Sequence, residues 1–467
     1  MKVILNDLTI IMSGTSDEIK KIKKFVTYKD TKNCFFGGKY HPERERDICL
    51  GKEVKGYFVC FAGLAKEIFI FSRDNKIKIE EFKDNRTHFD FQKKEWTHDE
   101  LRKFFNPNFK YVEHQIRALQ AMLNTNTALV VATTSAGKSS IMSAFIRLSK
   151  LPTLILVNKV TLAVQLQENF IKDGIDCGIC SGKGVKEGFC MVSTIQSVGK
   201  IGDLSKYKCV LGDEVHNFSA STFQNFLSQY GCPLKYGFSA SPFRNGDYLG
   251  YAKIRQFMGS PAVNIESKEL IENKVMAKPY IYIIKNECKE DEYFDYQTAY
   301  AEEIVNGKKR NQIVANICEK YGSGVLVLVN LIEHGEILKE MIPGSEFIAG
   351  NTPIEDRVKY IKDFDEGRLP ILIASTILQE GISITHMKAM VLACSGKSNV
   401  ATLQKIGRSL RFKEGEKEQV SYFDFWDSAK FLSKHSKMRI NLYKKAGYND
   451  IKLVDENLEE IKSIDKK

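Results

Sequence analysis

The stretch Thr133-Thr134-Ser135-Ala136-Gly137-Lys138-Ser139 constrains this chain more than any other. It follows the apolar run Leu129-Val130-Val131 and precedes the helical pattern of Ile141–Leu148. A buried strand, a tight loop and a helix N-terminus, in that order, aim backbone N–H groups and the positive end of the helix at one spot, where a phosphate chain can sit. In such a loop Lys138 reaches the β and γ phosphates of a nucleotide, and the Ser139 hydroxyl ligates Mg2+. The general pattern G-x-x-x-x-G-K-[ST] has Ala132 here in place of its first glycine. That position is less constrained than Gly137, which must let the backbone close over phosphate.

The chain around this loop alternates apolar strand-like runs with helical stretches. Ala128–Ala132, Thr153–Val157, Phe189–Val192, Cys209–Leu211 and Tyr236–Phe238 read as strands, and the pattern resumes after Ala277-Lys278-Pro279 with Gly324–Val329, Glu346–Ile348, Pro370–Ala374 and Ala389–Ala393. Unbroken apolar strands suit parallel sheets covered on both faces, so two α/β domains are expected, joined near 270–290. Residues 1–105 differ: runs such as Tyr57–Phe61 and Ile68–Phe71 read as β-prone between basic and Gly-rich turns, which suggests a small α+β domain. Phe104-Phe105-Asn106-Pro107-Asn108 marks its boundary, because Asn-Pro breaks regular structure. The expected domains are 1–105, 106–275 and 276–425, with a charged helical tail at 426–467.

Composition narrows the class. At 467 residues, 43% of them hydrophobic, the chain can build several cores. A net charge of +11 favours a polyanionic partner, although a solvated basic surface explains it as well. No apolar run is long enough to cross a bilayer, and a polar break at Asn6-Asp7 comes too early for a signal peptide, so a cytoplasmic location is expected. Eleven scattered cysteines fit reduced, buried thiols. Cys177 and Cys180 form a lone C-x-x-C with no second pair at zinc-site spacing, which favours a structural reading.

A second chemical signal is Asp213-Glu214-Val215-His216 after the run Cys209-Val210-Leu211. Carboxylates at the C-terminal end of a strand sit where open α/β sheets bind ligands. Asp213 would hold Mg2+ through water, and Glu214 would polarise an attacking water. A solvated turn is the plain alternative; it loses because the pair follows Lys138 in order and ends a hydrophobic strand.

Asp213–His216 resembles the DExH box of superfamily 2 helicases, and Ser135–Ser139 resembles their motif I. Further stretches match in the family's order. Gln115 sits where the family's adenine-reading Gln lies. Val157-Asn158-Lys159 through Gln165 resembles motif Ia, Ser193–Ser197 motif Ic, and Ser239-Ala240-Ser241-Pro242 motif III. Ala374-Ser375-Thr376 with Gln379–Ser383 resembles motif V, and Gln404–Arg411 matches Q-x-x-G-R-x-x-R of motif VI. Within the family, Thr134, Ser135, Ala136 and the SAS motif followed by Arg244, together with Gly381 and Ser383, look like the phage UvsW-type branch-migration group.

The resemblance implies two tandem RecA-like parallel-sheet domains, preceded by a small accessory domain, that clamp one ATP with Mg2+. It implies that Thr134–Ser139, Gln115 and Gly381 bind ATP. Gln404, Arg408 and Arg411 would complete catalysis, with the two arginines acting as fingers on the γ-phosphate. It further implies that His216, Ser239 and Ser241 couple ATP to movement along DNA, and that Lys159, Thr194, Gln196, Arg244, Ser375 and Thr376 lie near the track. Forked or four-way DNA is the implied partner, and a monomer the implied state. An RNA helicase or the motor subunit of a nuclease would share these motifs; a dead ATPase would not keep Lys138, Asp213, Glu214, Arg408 and Arg411. In the first domain, Lys21, Lys23, Lys24, Lys39, Arg44 and Arg46 with Phe35, Phe36 and Tyr40 could grip a duplex or junction arm. A solvated basic face is equally open, there and for Lys434, Lys437, Arg439, Lys444 and Lys445. His334 receives no role.

Overall fold

The computed structural model describes the chain except residues 32–33, 37–38, 109–111, 183, 244–245, 277, 289–292, 376–385, 397–418, 446–447, 449 and 464–467. It divides into two compact units, Met1–Ile265 and Glu266–Lys467.

The first unit opens with a five-stranded sheet in the order Gly51–Val54, Tyr57–Phe61, Thr9–Ser13, Lys2–Leu5, Glu81–Asp84. Strict alternation drives it: Val3, Leu5, Ile10, Met12, Phe58 and Cys60 all point to one buried face. The helices Ser16–Phe25 and Ala65–Asp74 cover that face with Ile22, Ala65 and Ile68. The second helix corrects the β-prone reading of Ile68–Phe71. A four-residue apolar run has no period of its own, and here Ala65, Ile68 and Ser72 are buried at helical spacing.

Next comes an eight-stranded sheet in the order Gly184–Lys186, Cys177–Ser181, Cys190–Thr194, Thr153–Val157, Cys209–Asp213, Leu234–Ser239, Thr127–Ala132, Pro261–Ile265. All its pairings are parallel except that of the edge hairpin between the first two. Its strands are buried along nearly their whole length, as expected for a sheet covered on both faces. Cys177 and Cys180 lie three apart on one strand, so their side chains leave opposite faces and cannot share a metal ion. Burial pushes the Cys177 thiol up to about 12.

The small sheet is bound into this unit. Lys235, on a central strand, donates to the Asp7 carbonyl at 2.9 Å and to the Cys232 carbonyl. Burial pushes its pKa down. Phe61 packs on Phe257 with centroids 4.4 Å apart. A Cβ at Gly63 would lie 2.3 Å from the Arg255 carbonyl oxygen, so only glycine allows that approach. The expected boundary at Phe104–Asn108 is packed too: Phe105 is buried, and Arg147 donates to the Phe104 carbonyl.

The second unit holds another eight-stranded sheet, in the order Ser345–Ile348, Ile371–Ala374, Val325–Leu328, Ala389–Leu392, Gln419–Asp427, Lys278–Asn286, Ile451–Val454, Glu460–Ser463. Only the last pairing is antiparallel among those described. The reading of 426–467 as a helical tail describes Lys430–Lys445 alone. Ile451–Val454 instead extends the sheet beside Lys278–Asn286, and Glu460–Ser463 closes its edge. Nor is Arg439 a solvated cation. It is buried, and it meets both Asp424 oxygens at 2.8 and 2.9 Å. Burial alone would push its pKa down, but Asp424 outweighs that and holds it up. Tyr443 donates to the same carboxylate at 2.7 Å.

His334 is a core residue: Nε2 lies 2.9 Å from Asn311 Oδ1, and burial with Arg310 nearby pushes its pKa down to about 3.

Arg439→Ala would leave the Asp424 carboxylate buried without its guanidinium, which costs about 3–5 kcal/mol. In a Trp96→Phe background, Trp426 reports unfolding of the second unit alone. A urea midpoint unchanged by Arg439→Ala would show that this pair does not hold the sheet.

Candidate active site

Three neighbouring parallel strands end together in the first sheet. Thr127–Ala132 leads to the phosphate loop, Leu234–Ser239 ends in the SAS motif, and Cys209–Asp213 ends in the acidic pair. Val131 is level with Ser239, and Asp213 with Phe238. The parallel register therefore puts residues distant in sequence on one edge.

The loop turns through Gly137 at φ +74°, a left-handed conformation that relieves the step into the helix Lys138–Ser149. A Cβ there would also strike Gln115 Nε2 at 2.3 Å. Gln115 Nε2 donates to the Ala136 carbonyl at 3.2 Å, and His114 Nε2 lies 3.0 Å from the same oxygen. Adjacent residues in the first turn of Glu113–Leu123 thus brace the loop from outside. The sequence reading missed His114; its place directly before Gln115 at a helix start was the available signal.

Lys138 reaches across the strand ends. Its Nζ donates to Glu214 Oε1 at 3.0 Å, with both side chains almost fully buried. Glu214 sits at φ +51°, uncommon for a residue with a side chain. This turn converts the strand into the short helix Val215–Ser219. A Cβ at the preceding Gly212 would collide with Phe218 and Val215, so that helix folds tightly back on the strand. Glu214 Oε2 lies 3.2 Å from His216 Nδ1, which is 3.1 Å from Ser239 Oγ. Ser239 Oγ in turn accepts from the Ser241 N–H at 3.3 Å. A polar chain therefore runs from Lys138 through Glu214, His216 and Ser239 to Ser241.

Asp213 is buried at its strand end, and Ser139 is half-buried in the first turn of its helix. An oxygen-only donor pair of this kind suits Mg2+, which keeps several waters and takes few protein ligands. Among the described residues no cluster of three His, Cys, Asp or Glu side chains offers a metal site.

The other expected residues are more scattered. Lys159 and Gln196 are exposed beyond the ends of two adjacent strands, where Val157 pairs with Thr194. Thr194 is buried and donates to Ser197 Oγ at 3.0 Å, so its hydroxyl serves the turn. Ser135 is buried within the phosphate loop. In the second unit Ser375 follows Ile371–Ala374, and its N–H bonds the Ile348 carbonyl at 3.0 Å. The Thr134 side chain, and Arg244, Thr376, Gly381, Gln404, Arg408 and Arg411, lie outside the described residues.

Family models match twice. Residues 108–244 fit the Type III restriction enzyme, res subunit, and residues 308–413 fit the helicase conserved C-terminal domain, together more than half of the chain. The chain belongs to the superfamily 2 helicases. This helicase is 25% identical over 447 residues to "Putative helicase 22" of a Sulfolobus islandicus filamentous virus, covering 86% of this chain and 76% of the other. It is 26% identical over 330 residues to "ATP-dependent DNA helicase uvsW" of Enterobacteria phage T4, covering 63% and 64%. Its fold is similar to S. cerevisiae Dbp5 bound to RNA and ADP BeF3, with a TM-score of 0.56 at 18% identity over 77% of this chain and 96% of the other. ATP use follows from that family.

Gly137→Ala imposes a left-handed conformation on a residue with a Cβ and pushes against Gln115. Nucleotide affinity should fall by about tenfold or more, from roughly 1–2 kcal/mol of backbone strain alone. Titration with a fluorescent ATP analogue checks this; an affinity within about twofold of the parent protein would remove the loop assignment.

Proposed function

We propose that this helicase is an ATP-driven DNA translocase that unwinds or branch-migrates forked and four-way DNA. The observation that carries the motor reading is the buried chain from Lys138 through Glu214 and His216 to Ser239 and Ser241. ATP competes with Glu214 for the Lys138 ammonium. Once the phosphates hold Lys138, the Glu214 carboxylate is released toward an attacking water, and the change is relayed along His216 to Ser239. Hydrolysis restores the Lys138–Glu214 pair. The site thus alternates between two hydrogen-bonded arrangements, each favoured by one nucleotide state. Mg2+, held by Ser139 and Asp213, would neutralise charge on the β and γ phosphates. Gln115 and the loop residues Thr134–Ser139 would bind the nucleotide with Gly381, and Gln404, Arg408 and Arg411 would serve the γ-phosphate.

Lys159, Gln196, Arg244, Ser375 and Thr376 are the proposed backbone contacts, with Thr194 shaping the turn beside them. Contacts to phosphates carry no base information, which a motor that passes any sequence requires. The preference for DNA, and for forks and junctions, draws on the likeness to the T4 uvsW protein and to its relatives. A monomer working in the cytoplasm goes with this reading.

ATP hydrolysis should be measured at fixed salt with single strand, duplex, fork, four-way junction and RNA, because affinity depends on ionic strength. Forks and junctions should stimulate most; strongest stimulation by RNA would keep the ATP chemistry and overturn the substrate. Lys138→Ala should abolish turnover on every substrate. Arg411→Ala should slow hydrolysis by about 10³-fold or more while leaving ATP binding intact. A variant that loses only DNA affinity would show that Arg411 is not a finger.

A further inference from the structure

The hydrogen-bonded chain that starts at Lys138 ends at Ser241, and Phe243 stands two residues further on. Phe243 and Tyr248 are 41% and 68% exposed. Their centroids are 5.0 Å apart in a tilted pair, and Tyr251 closes the cluster 5.5 Å from Phe243. We propose that Phe243 and Tyr248 form a platform on which unpaired nucleobases stack. This inference rests on the helicase reading and goes beyond it, because the motor motifs assign contacts to the backbone of the track and none to its bases.

The platform is rigid beneath its exposed rings. Asp247 caps the helix Tyr248–Met258 by accepting from the Gly250 N–H at 2.7 Å. Arg255 lies over the Tyr251 ring, 4.4 Å from its centroid, and its guanidinium is fixed by Glu67 Oε1 at 2.7 Å. The same arginine faces the Tyr28 hydroxyl. Phe257 packs on Phe61, and the close approach at Gly63 presses the small N-terminal sheet onto the end of this helix. The backbone that carries Tyr248 is therefore fixed before a base arrives, and pre-organised surfaces bind more tightly for that reason.

Position and chemistry select the occupant. The cluster follows the C-terminal end of Leu234–Ser239, on the sheet edge that carries Lys138 and Glu214. A polyanionic occupant is compatible with a chain of net charge +11. The two exposed residues are both aromatic, with flat faces that match any base, and stacking of this kind tolerates every sequence. Such a contact would hold separated bases apart from their complement. It would also feel the nucleotide state, since the Ser239–Ser241 turn is bonded through His216 to the ATP-site carboxylate.

The test uses the full chain and a DNA fork with 2-aminopurine in its single-stranded arm, whose fluorescence is quenched by stacking. The parent protein should quench it. Tyr248→Ala and Phe243→Ala should each weaken single-strand binding by about tenfold, the scale of one lost stacked base. Both should lose the quench and slow unwinding, with basal ATP hydrolysis unchanged. Tyr248→Phe should restore all three, because the ring and not the hydroxyl does the stacking. Quench and affinity equal to the parent in both alanine variants would overturn the platform, including the case in which unwinding alone falls or a protein partner proves to bind there. Stimulation of ATP hydrolysis by the same fork separates the two readings. If no nucleic acid stimulates the parent protein, the helicase reading fails. If stimulation persists in the parent and the variants match it, only the platform fails.

Discussion

Everything at the candidate site depends on a buried ion pair, Lys138 with Glu214, made across the ends of parallel strands. Two charges taken out of water repay their desolvation only when geometry is good and further hydrogen bonds complete the set. Here His216 supplies the second contact to the carboxylate, and Ser239 lies against the imidazole. Left-handed backbone stands at both partners, at Gly137 directly before Lys138 and at Glu214 itself. In the proposed cycle, a nucleotide phosphate takes the ammonium from a carboxylate that His216 also contacts. The yielding of the pair is what the serines would transmit.

The second unit uses buried charge differently. Arg310 pairs with Asp427, which also accepts from Asn286 at 2.9 Å, and it donates to the Ala393 carbonyl. Arg439 joins Asp424 to the Ser395 hydroxyl. Each arginine ties the strand Gln419–Asp427 to the backbone that leaves Ala389–Leu392. In the sequence, those two strands stand on either side of the segment with the Q-x-x-G-R-x-x-R pattern. Guanidinium groups suit such ties because one planar fork can serve a carboxylate and a second acceptor together.

Much of this was legible in the chain. The run Leu129-Val130-Val131 before Thr133–Ser139, and the run before Asp213-Glu214, each announced a buried strand with a reactive end, and both lie within observed strands. Parallel strands buried on both faces leave the clearest sequence signature, which is why Thr153–Val157 matches residue for residue. Ile68–Phe71 misled because an apolar run of four lacks a period, and its helical face appears only with Ala65 and Ser72 included. The strands Ile451–Val454 and Glu460–Ser463 were hidden among lysines and glutamates, since strands near a sheet edge need little continuous hydrophobicity.

The sequence by itself determined which lysine, carboxylates and hydroxyls end strands or open helices, and its motifs pointed to a nucleotide as their substrate. Local pattern suffices there because a phosphate loop is built from consecutive residues. Only the tertiary structure decided which of them touch. Strand order places Leu234–Ser239 between Thr127–Ala132 and Cys209–Asp213, and that order brings Ser239 into the chain from Lys138. It also decided that the N-terminal sheet packs with the first parallel sheet in one compact unit, where Lys235 and Phe257 meet it. Register and packing act between residues far apart in sequence, and no local pattern encodes them.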